Sequence, residues 1–251
     1  MIRAQREANS VIRECVTDCV CECLWCVCVA EVAELRSSRA VPTVLPMTSL
    51  RLSVEPPSTH QLERYASKCQ LAQRPFNHGF HPRGTRPEPV GSLRIIEEGV
   101  VLGKGRNTYF RAKQLLLDWR MHHGSESTGI WTGVDGNALV TYARLCPCLW
   151  VLNPCRTLDH SALPNDGSIC NVAYATTRGH LIAGCELMTV RLCSDGRVRF
   201  DVFSGSRGSG LLGRMVFPFI VPSQRRFFEE QVRCMERQFP SPAAAAKPRR
   251  S

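Results

Sequence analysis

His180 and Glu186 are the residues whose types and spacing could carry proton transfer. Imidazole titrates near neutral pH, and a carboxylate beside it would orient the ring and raise its pKa. Six residues apart, on a turn and the strand after it, the two side chains are placed to meet. A plainer reading competes: Gly179-His180 caps a hairpin, and Glu186 pairs with Arg156 or Arg207 for structure alone. Arg156 sits in an otherwise apolar stretch, where a buried guanidinium needs a carboxylate or an anionic ligand head group. Glu186 is its expected partner, and Tyr174 on a neighbouring strand brings a hydroxyl to the same pocket. Arg156, Tyr174, His180 and Glu186 are therefore the candidate ligand-binding residues. Trp119 and Trp150 read as core, and His122-His123 as surface. No Ser-His-Asp or Cys-His arrangement can be assembled from the order of residues, so no catalytic residue is assigned.

Gly103-Lys104-Gly105 could present backbone amides to a phosphate at a strand-to-helix turn. It lacks the spaced Gly-Lys-Ser/Thr of a P-loop and the third glycine of a dinucleotide fingerprint. A glycine-permitted tight turn is the better reading, and no cofactor is expected. Of fourteen cysteines, Cys15, Cys19, Cys21, Cys23, Cys26 and Cys28 crowd together. Zinc sites bring two separated ligand pairs across a loop, which this cluster does not do, and no histidine lies near it. Cys146 and Cys148 with Cys155 form the other candidate group, against the commoner role of a thiol as a small buried hydrophobe. No metal ligand is assigned.

The elements that must position these residues follow from pattern. Residues 47–92 carry six prolines among polar residues, an arm around one helix near Thr59 to Ala72. Leu93 to Leu102 reads as a strand, and a helix capped by Asn107 follows to about Met121, with Tyr109, Ala112, Leu116 and Trp119 as its apolar stripe. From Trp131 onward come β-rich runs at Ala138 to Leu145, Leu149 to Leu158, Ile169 to Thr176, Glu186 to Cys193 and Arg197 to Phe203. Ser194-Asp195-Gly196 joins the last two as a hairpin. A Gly/Ser-rich passage then leads to a closing helix from about Pro222 to Arg237, with proline in its first turn. The predicted fold class is α+β: a curved antiparallel sheet, one strand-following helix and a long C-terminal helix, by analogy the helix-grip layout of START and Bet v 1 proteins.

The formal charge is +10, of which residues 47–238 carry +8 with no block of like sign, and the tail from residue 239 carries +3. Such a surface attracts acidic partners or anionic membranes without specificity. No zinc-finger spacing, RNP-like aromatic motif or basic heptad helix supports nucleic-acid binding. No run reaches the roughly 18 uninterrupted apolar residues of a spanning helix. The segment from Val20 to Leu35 is broken by Glu22, Glu31 and Glu34 and lacks the layout of a signal peptide. An intracellular, cytoplasmic setting with reduced thiols is expected, or association with an organelle. Residues 1–46 read as a cysteine-rich extension without a stable fold, with Met47 as an alternative initiator, and residues 239–251 as a disordered basic tail.

Several segments carry a specific resemblance. Val101-Leu102-Gly103-Lys104-Gly105 with Phe110, Ala112 and Trp119 looks like a glycine turn and core-opening helix. Trp150-Val151-Leu152-Asn153-Pro154-Cys155-Arg156, Ala173-Tyr174-Ala175-Thr176, Arg178-Gly179-His180 and Gly184-Cys185-Glu186 follow in order. Val202-Phe203-Ser204 through Arg207, then Pro218 and Gln224, match a closing strand and helix, and Phe76-Asn77 through Gly84-Thr85 is a weaker echo. Over residues 47–238 this series resembles DUF1990 (UPF0548), a family without an assigned reaction. Ala175 and Cys185 depart from the Gly and first Glu that the resemblance implies there. The expected function is binding of a small amphipathic or anionic ligand in a sheet/helix cavity. An enzyme using the His180/Glu186 pair and a peripheral, membrane-associated protein are the alternatives.

Overall fold

The computed structural model describes residues 51–53, 55–77, 93–146, 149–158 and 167–239. The cysteines at 15–28, the arm from 78 to 92, Cys148 and the tail beyond 239 lie outside the described residues. Among the described residues, eight strands are seen: β1 (Arg51–Ser53), β2 (Arg94–Lys104), β3 (Thr128–Thr132), β4 (Ala138–Cys146), β5 (Leu149–Thr157), β6 (Ile169–Thr176), β7 (Ile182–Leu192) and β8 (Arg197–Gly208). The α-helices among the described residues are α1 (Thr59–Lys68), α2 (Arg106–Leu117) and α3 (Gly210–Arg237). The strands form one antiparallel sheet in the order β2-β8-β7-β6-β5-β4-β3, with β1 paired to the first half of β5. The edge strands β2 and β3 both contact α3, so the sheet curves around that helix.

Period-2 alternation gives each strand an inner and an outer face. Val172, Met188, Val190, Phe200 and Val202 face inward and meet Tyr109, Ala112 and Leu116 of α2 and Phe227, Phe228 and Met235 of α3. The outer face is partly covered as well. Leu62, Tyr65 and Leu71, from α1 and the turn behind it, pack on Val140 and Leu152. A capping box between Ser58 and Gln61 starts α1.

Several boundaries differ from the sequence reading. Asn107 is not a cap: Gly105, at φ 85°, holds that position, and α2 stops at Leu117 before Trp119 turns left-handed at φ 55°. The short helical turn Arg120–His122 then carries His122 inward. His122, read as surface, is 6% exposed: its ring lies 4.4 Å from that of Phe227, and Nδ1 is 2.8 Å from the Thr128 hydroxyl. The passage read as a connection after Phe203 is strand to Gly208, and α3 begins twelve residues before Pro222. Pro218 and Pro222 lie inside the helix, both on its exposed side. Val216 and Ile220 hold this first half by packing on Ile182.

Candidate functional site

Strand register sets a row of polar side chains on the inner face. Tyr174 of β6 pairs with Glu186 of β7, and Glu186 pairs with Ser204 of β8. Directly opposed residues share a face, with Cβ atoms about 5 Å apart. The three therefore form a transverse row about 10 Å long across three strands. They line a cavity of about 90 Å³ between the sheet and α3. At one water per 10–15 Å³ of such volume, the space takes roughly six to nine water-sized positions, enough for a small organic molecule. Val151, Ile182, Ile220, Phe227 and Phe228 supply apolar wall, while Ser206 and Gln224 meet across it at 3.4 Å. Ser223, exposed on α3, is also part of the lining.

Gly184 keeps this wall thin. A Cβ there would stand 2.5 Å from the Gly205 carbonyl oxygen and 2.7 Å from the Ser206 Cβ, so any side chain would force β7 and β8 apart. Thr176 ties the rim together: its hydroxyl donates to Asn77 Oδ1 at 2.7 Å and accepts from the Gly184 amide at 3.0 Å. Asn77 Nδ2 donates in turn to the Ile182 carbonyl at 2.7 Å, stitching the arm to the turn between β6 and β7.

The polar row is unsatisfied. Tyr174 Oη, Glu186 Oε2 and Ser204 Oγ are buried and have no hydrogen-bond partner among the described residues. Tyr174 and Ser204 are 2% and 1% exposed. Glu186 shows some surface where it lines the cavity, yet it is enclosed within the protein, and burial holds its carboxyl well above the usual range. In its neutral form, which burial favours, a carboxylic acid both donates and accepts. Glu186 forms no salt bridge among the described residues. The Cys155 thiol, also in the lining, is pushed up first by burial and then by Glu186.

His180 lies in the turn and reaches the same cavity, but not as the acid-base partner of Glu186. Its Nδ1 accepts the Ile182 amide at 2.9 Å, so the neutral ring carries its proton on Nε2. Burial lowers its pKa to about 4, the opposite of the rise that a neighbouring carboxylate would cause. No hydrogen bond joins His180 to Glu186 among the described residues.

Arg156 is the correction. It pairs with Ala138 and Ala175, whose neighbour across β7 is Cys185, and these positions belong to the outer face. Glu186 is on the inner face, so the sheet separates the two. Arg156 instead donates to the Arg74 carbonyl at 3.1 Å and lies 4.9 Å from the Phe76 ring centre, fastening the arm to the outside of the sheet. Cys185 and Ala175, the departures noted above, pack there with Ala173, Leu187 and Phe203. Glu186, the carboxyl side chain of the lining, is unaffected by them. Ser204 and Gln224 were missed as site residues. The Ser194-Asp195-Gly196 turn held a signal for Ser204, because counting outward from it pairs residue 186 with 204. Nothing in sequence places Gln224 over that row. Among the described residues, no three His, Cys, Asp or Glu side chains gather closely enough to hold a metal ion.

The family model for DUF1990, a domain of unknown function, matches residues 82–234. A UPF0548 protein of Arabidopsis thaliana is 26% identical over 192 residues, covering 68% of this chain and 89% of that protein. Among solved structures, a hypothetical protein from Helicobacter pylori aligns with a TM-score of 0.42 and 12% identity, over 59% of this chain and 88% of its own. A START superfamily protein from Mycobacterium smegmatis aligns with a TM-score of 0.41 and 8% identity, over 58% and 96%. The match to the family model takes in more than half of the sequence, including β2, α2, the strands that build the cavity and most of α3: the chain belongs to the DUF1990 family.

Proposed function

We propose that this protein binds a small, largely apolar molecule in the cavity between the sheet and α3. The observation that carries this reading is the cavity itself, walled by Val151, Ile182, Ile220, Phe227 and Phe228 and floored by buried polar atoms without partners. Native interiors pair their buried polar groups, and exceptions call for an explanation such as a ligand. Apolar walls with a few convergent polar groups are the usual chemistry of a ligand site. Native mass spectrometry of the gently purified full chain is the test. The expected result is a bound small molecule that leaves on denaturation and is lost when Ile220→Trp fills the cavity. A mass unchanged by denaturation, in a chain that takes up no added small molecule, overturns the reading.

One observation favours a second role. Leu211, Met215 and Phe219 recur every fourth residue on α3 and are 79%, 66% and 49% exposed. Exposed Arg214 sits beside them, and no Asp or Glu occurs between Asp201 and Glu229. An apolar stripe in basic surroundings suits the interface of an anionic bilayer. Among the described residues, no helix is long and apolar enough to cross one. Flotation with phosphatidylserine vesicles, abolished by Met215→Glu and weakened by salt, is the expected behaviour; equal absence of flotation with and without anionic lipid removes it.

A further inference from the structure

The polar row has a property that narrows the ligand: its hydroxyls, and its carboxyl in the acid form, both give and accept a hydrogen bond, and no described residue of the lining is a Lys or Arg that could neutralise an anion. Tyr174 and Ser204 offer hydroxyls. Glu186 offers a carboxyl, and His180 an Nε2–H fixed by the bond at Nδ1. Among the described residues, the lining contains no Lys, Arg or Asp. Arg156, the cation that an anionic ligand would need, is beyond the sheet. An anion brought into this space would lose its hydration and gain no counter-ion, which costs several kcal/mol. Resting on the cavity reading above, we infer that the site takes an uncharged molecule with an apolar body and one polar end, a hydroxyl or a carbonyl, which is held by Tyr174 Oη, Glu186 Oε2 and Ser204 Oγ.

The geometry gives each end of such a molecule its place. The row lies on the inner sheet face, and Phe227, Phe228 and Ile220 approach from α3. A polar end reaching the row satisfies atoms that would otherwise be buried without partners, while the body displaces water from aromatic and aliphatic walls. The raised pKa of Glu186 agrees with this arrangement, since a neutral acid can donate to a carbonyl or accept from a hydroxyl.

Four one-ring probes of matched shape test the inference on the full chain at pH 7, with affinities from NMR titration: p-cresol, p-xylene, p-toluate and 4-methylbenzylamine. The first ends in a hydroxyl, the second in a methyl, the third in an anion and the fourth in a cation. p-Cresol should bind about tenfold more tightly than p-xylene or p-toluate, as expected for one or two hydrogen bonds formed in a buried site. Tyr174→Phe and Ser204→Ala should each weaken p-cresol about three- to tenfold and leave p-xylene unchanged. Glu186→Gln, which keeps a donor and an acceptor, should stay within about threefold of the native protein, whereas Glu186→Leu should not. Equal binding of p-cresol and p-xylene, indifferent to these variants, overturns the polar end and leaves the cavity reading standing. Preference for p-toluate overturns the uncharged class by revealing a cation in reach, and preference for the amine overturns it by revealing Glu186 as an ionised counter-ion. Failure of all four probes to bind at millimolar concentration overturns the cavity reading as well.

Discussion

At the scale of single residues, Tyr174 separates a structural hydroxyl from one held in reserve for a ligand. A buried hydroxyl with a protein partner stabilises the fold by about 1 kcal/mol, so its removal costs about that much. Tyr174 Oη has no partner among the described residues, and its ring is already fixed beside Trp119 at 6.0 Å between centres. Tyr174→Phe is therefore expected to leave ligand-free stability unchanged or to raise it by up to about 1 kcal/mol in urea denaturation, because it removes an unsatisfied group. A loss of 1 kcal/mol or more would mean that the hydroxyl is satisfied within the protein. Arg156 predicts the reverse pattern. Arg156→Ala gives up a bond to the Arg74 carbonyl and a cation–π contact with Phe76, together worth about 1–3 kcal/mol, and lies across the sheet from the cavity. It should expose the arm near Arg74–Asn77 to limited proteolysis while p-cresol affinity stays unchanged. These two residues also show what sequence could and could not give about the site. Residue type and strand context were enough to nominate Tyr174, His180, Glu186 and Arg156. The face on which each stands depends on register, and Tyr174 opposes Thr157, one residue beyond Arg156. A one-residue difference sends a side chain to the other side of a sheet. The polarity of Arg156 suggested a pocket, whereas its partners are a carbonyl and a ring contributed by an arm about eighty residues earlier.

At the scale of elements, the cavity depends on where α3 begins. The helix starts immediately after β8, and Gly213 sits so tightly that an added Cβ would collide with the Leu181 carbonyl oxygen. Gly208 is pressed against the Gly213–Arg214 backbone from the other side. Gly213→Ala must push the first turns of α3 away from the β6–β7 turn, which carries His180, and from Ile182, against which Val216 and Ile220 pack. The expected cost is about 1–3 kcal/mol in chemical denaturation, as for overpacking in a core. The same displacement should raise hydrogen exchange at the amides of residues 214–217, 219 and 220 above that of residues 227–235, where Phe228 and Met235 remain buried. Uniform exchange along α3 would show that its two halves do not depend on separate contacts. Strands β2, β4, β5, β6 and β8, the part of β7 from Glu186 and the C-terminal half of α3 were legible because their apolar pattern is carried by the strands themselves and by the row Phe227, Phe228, Met235, whereas the short strands β1 and β3 and the start of β7 at Ile182 were not read as strand. The N-terminal half was not legible. Two prolines and a Gly/Ser-rich lead-in argue against a helix on local grounds, since proline removes a backbone donor and crowds the preceding turn. Tertiary packing overrides that preference here. Because Pro218 and Pro222 both lie on the exposed side, solvent can satisfy the carbonyls that they leave without helical partners.

For the whole molecule, buried titratable groups on one curved sheet and its helix shape stability against pH, and their signs oppose. His180 and His122 are lowered to about 4 and about 3, both chiefly by burial, with Glu230 partly opposing the shift at His122. The unfolded chain therefore binds more protons at these positions below pH 6.5. Their contribution is complete above pH 6.5 and is lost as pH falls towards the folded values, at up to about 1.4 kcal/mol per pH unit for each proton. Glu186 acts the other way. Its folded pKa lies well above 4.5, so the folded protein retains a proton that the unfolded chain releases, and its contribution declines as pH rises above 4.5. Between about pH 4.5 and 6.5 two histidines outweigh one glutamate, and stability rises with pH. Near pH 6.5 the two half-titrated histidines of the unfolded chain balance Glu186, and from about pH 7.5, where they have finished titrating in both states, Glu186 acts against a flat background until the buried cysteines join near pH 9, with Cys185 raised to about 12. Urea denaturation from pH 5 to 8.5 should thus show a maximum near pH 6.5 followed by a decline. In Glu186→Gln, where no proton can be lost, the curve should go on rising slightly above pH 6.5 and stay level from about 7.5 to 8.5, and the gap between variant and native protein should widen with pH. Two coincident curves that both rise or stay flat above pH 6.5 would show that Glu186 is ionised in the folded protein. The cavity would then hold a fixed negative charge, and its ligand would have to be a cation rather than an uncharged molecule with a hydroxyl or carbonyl end.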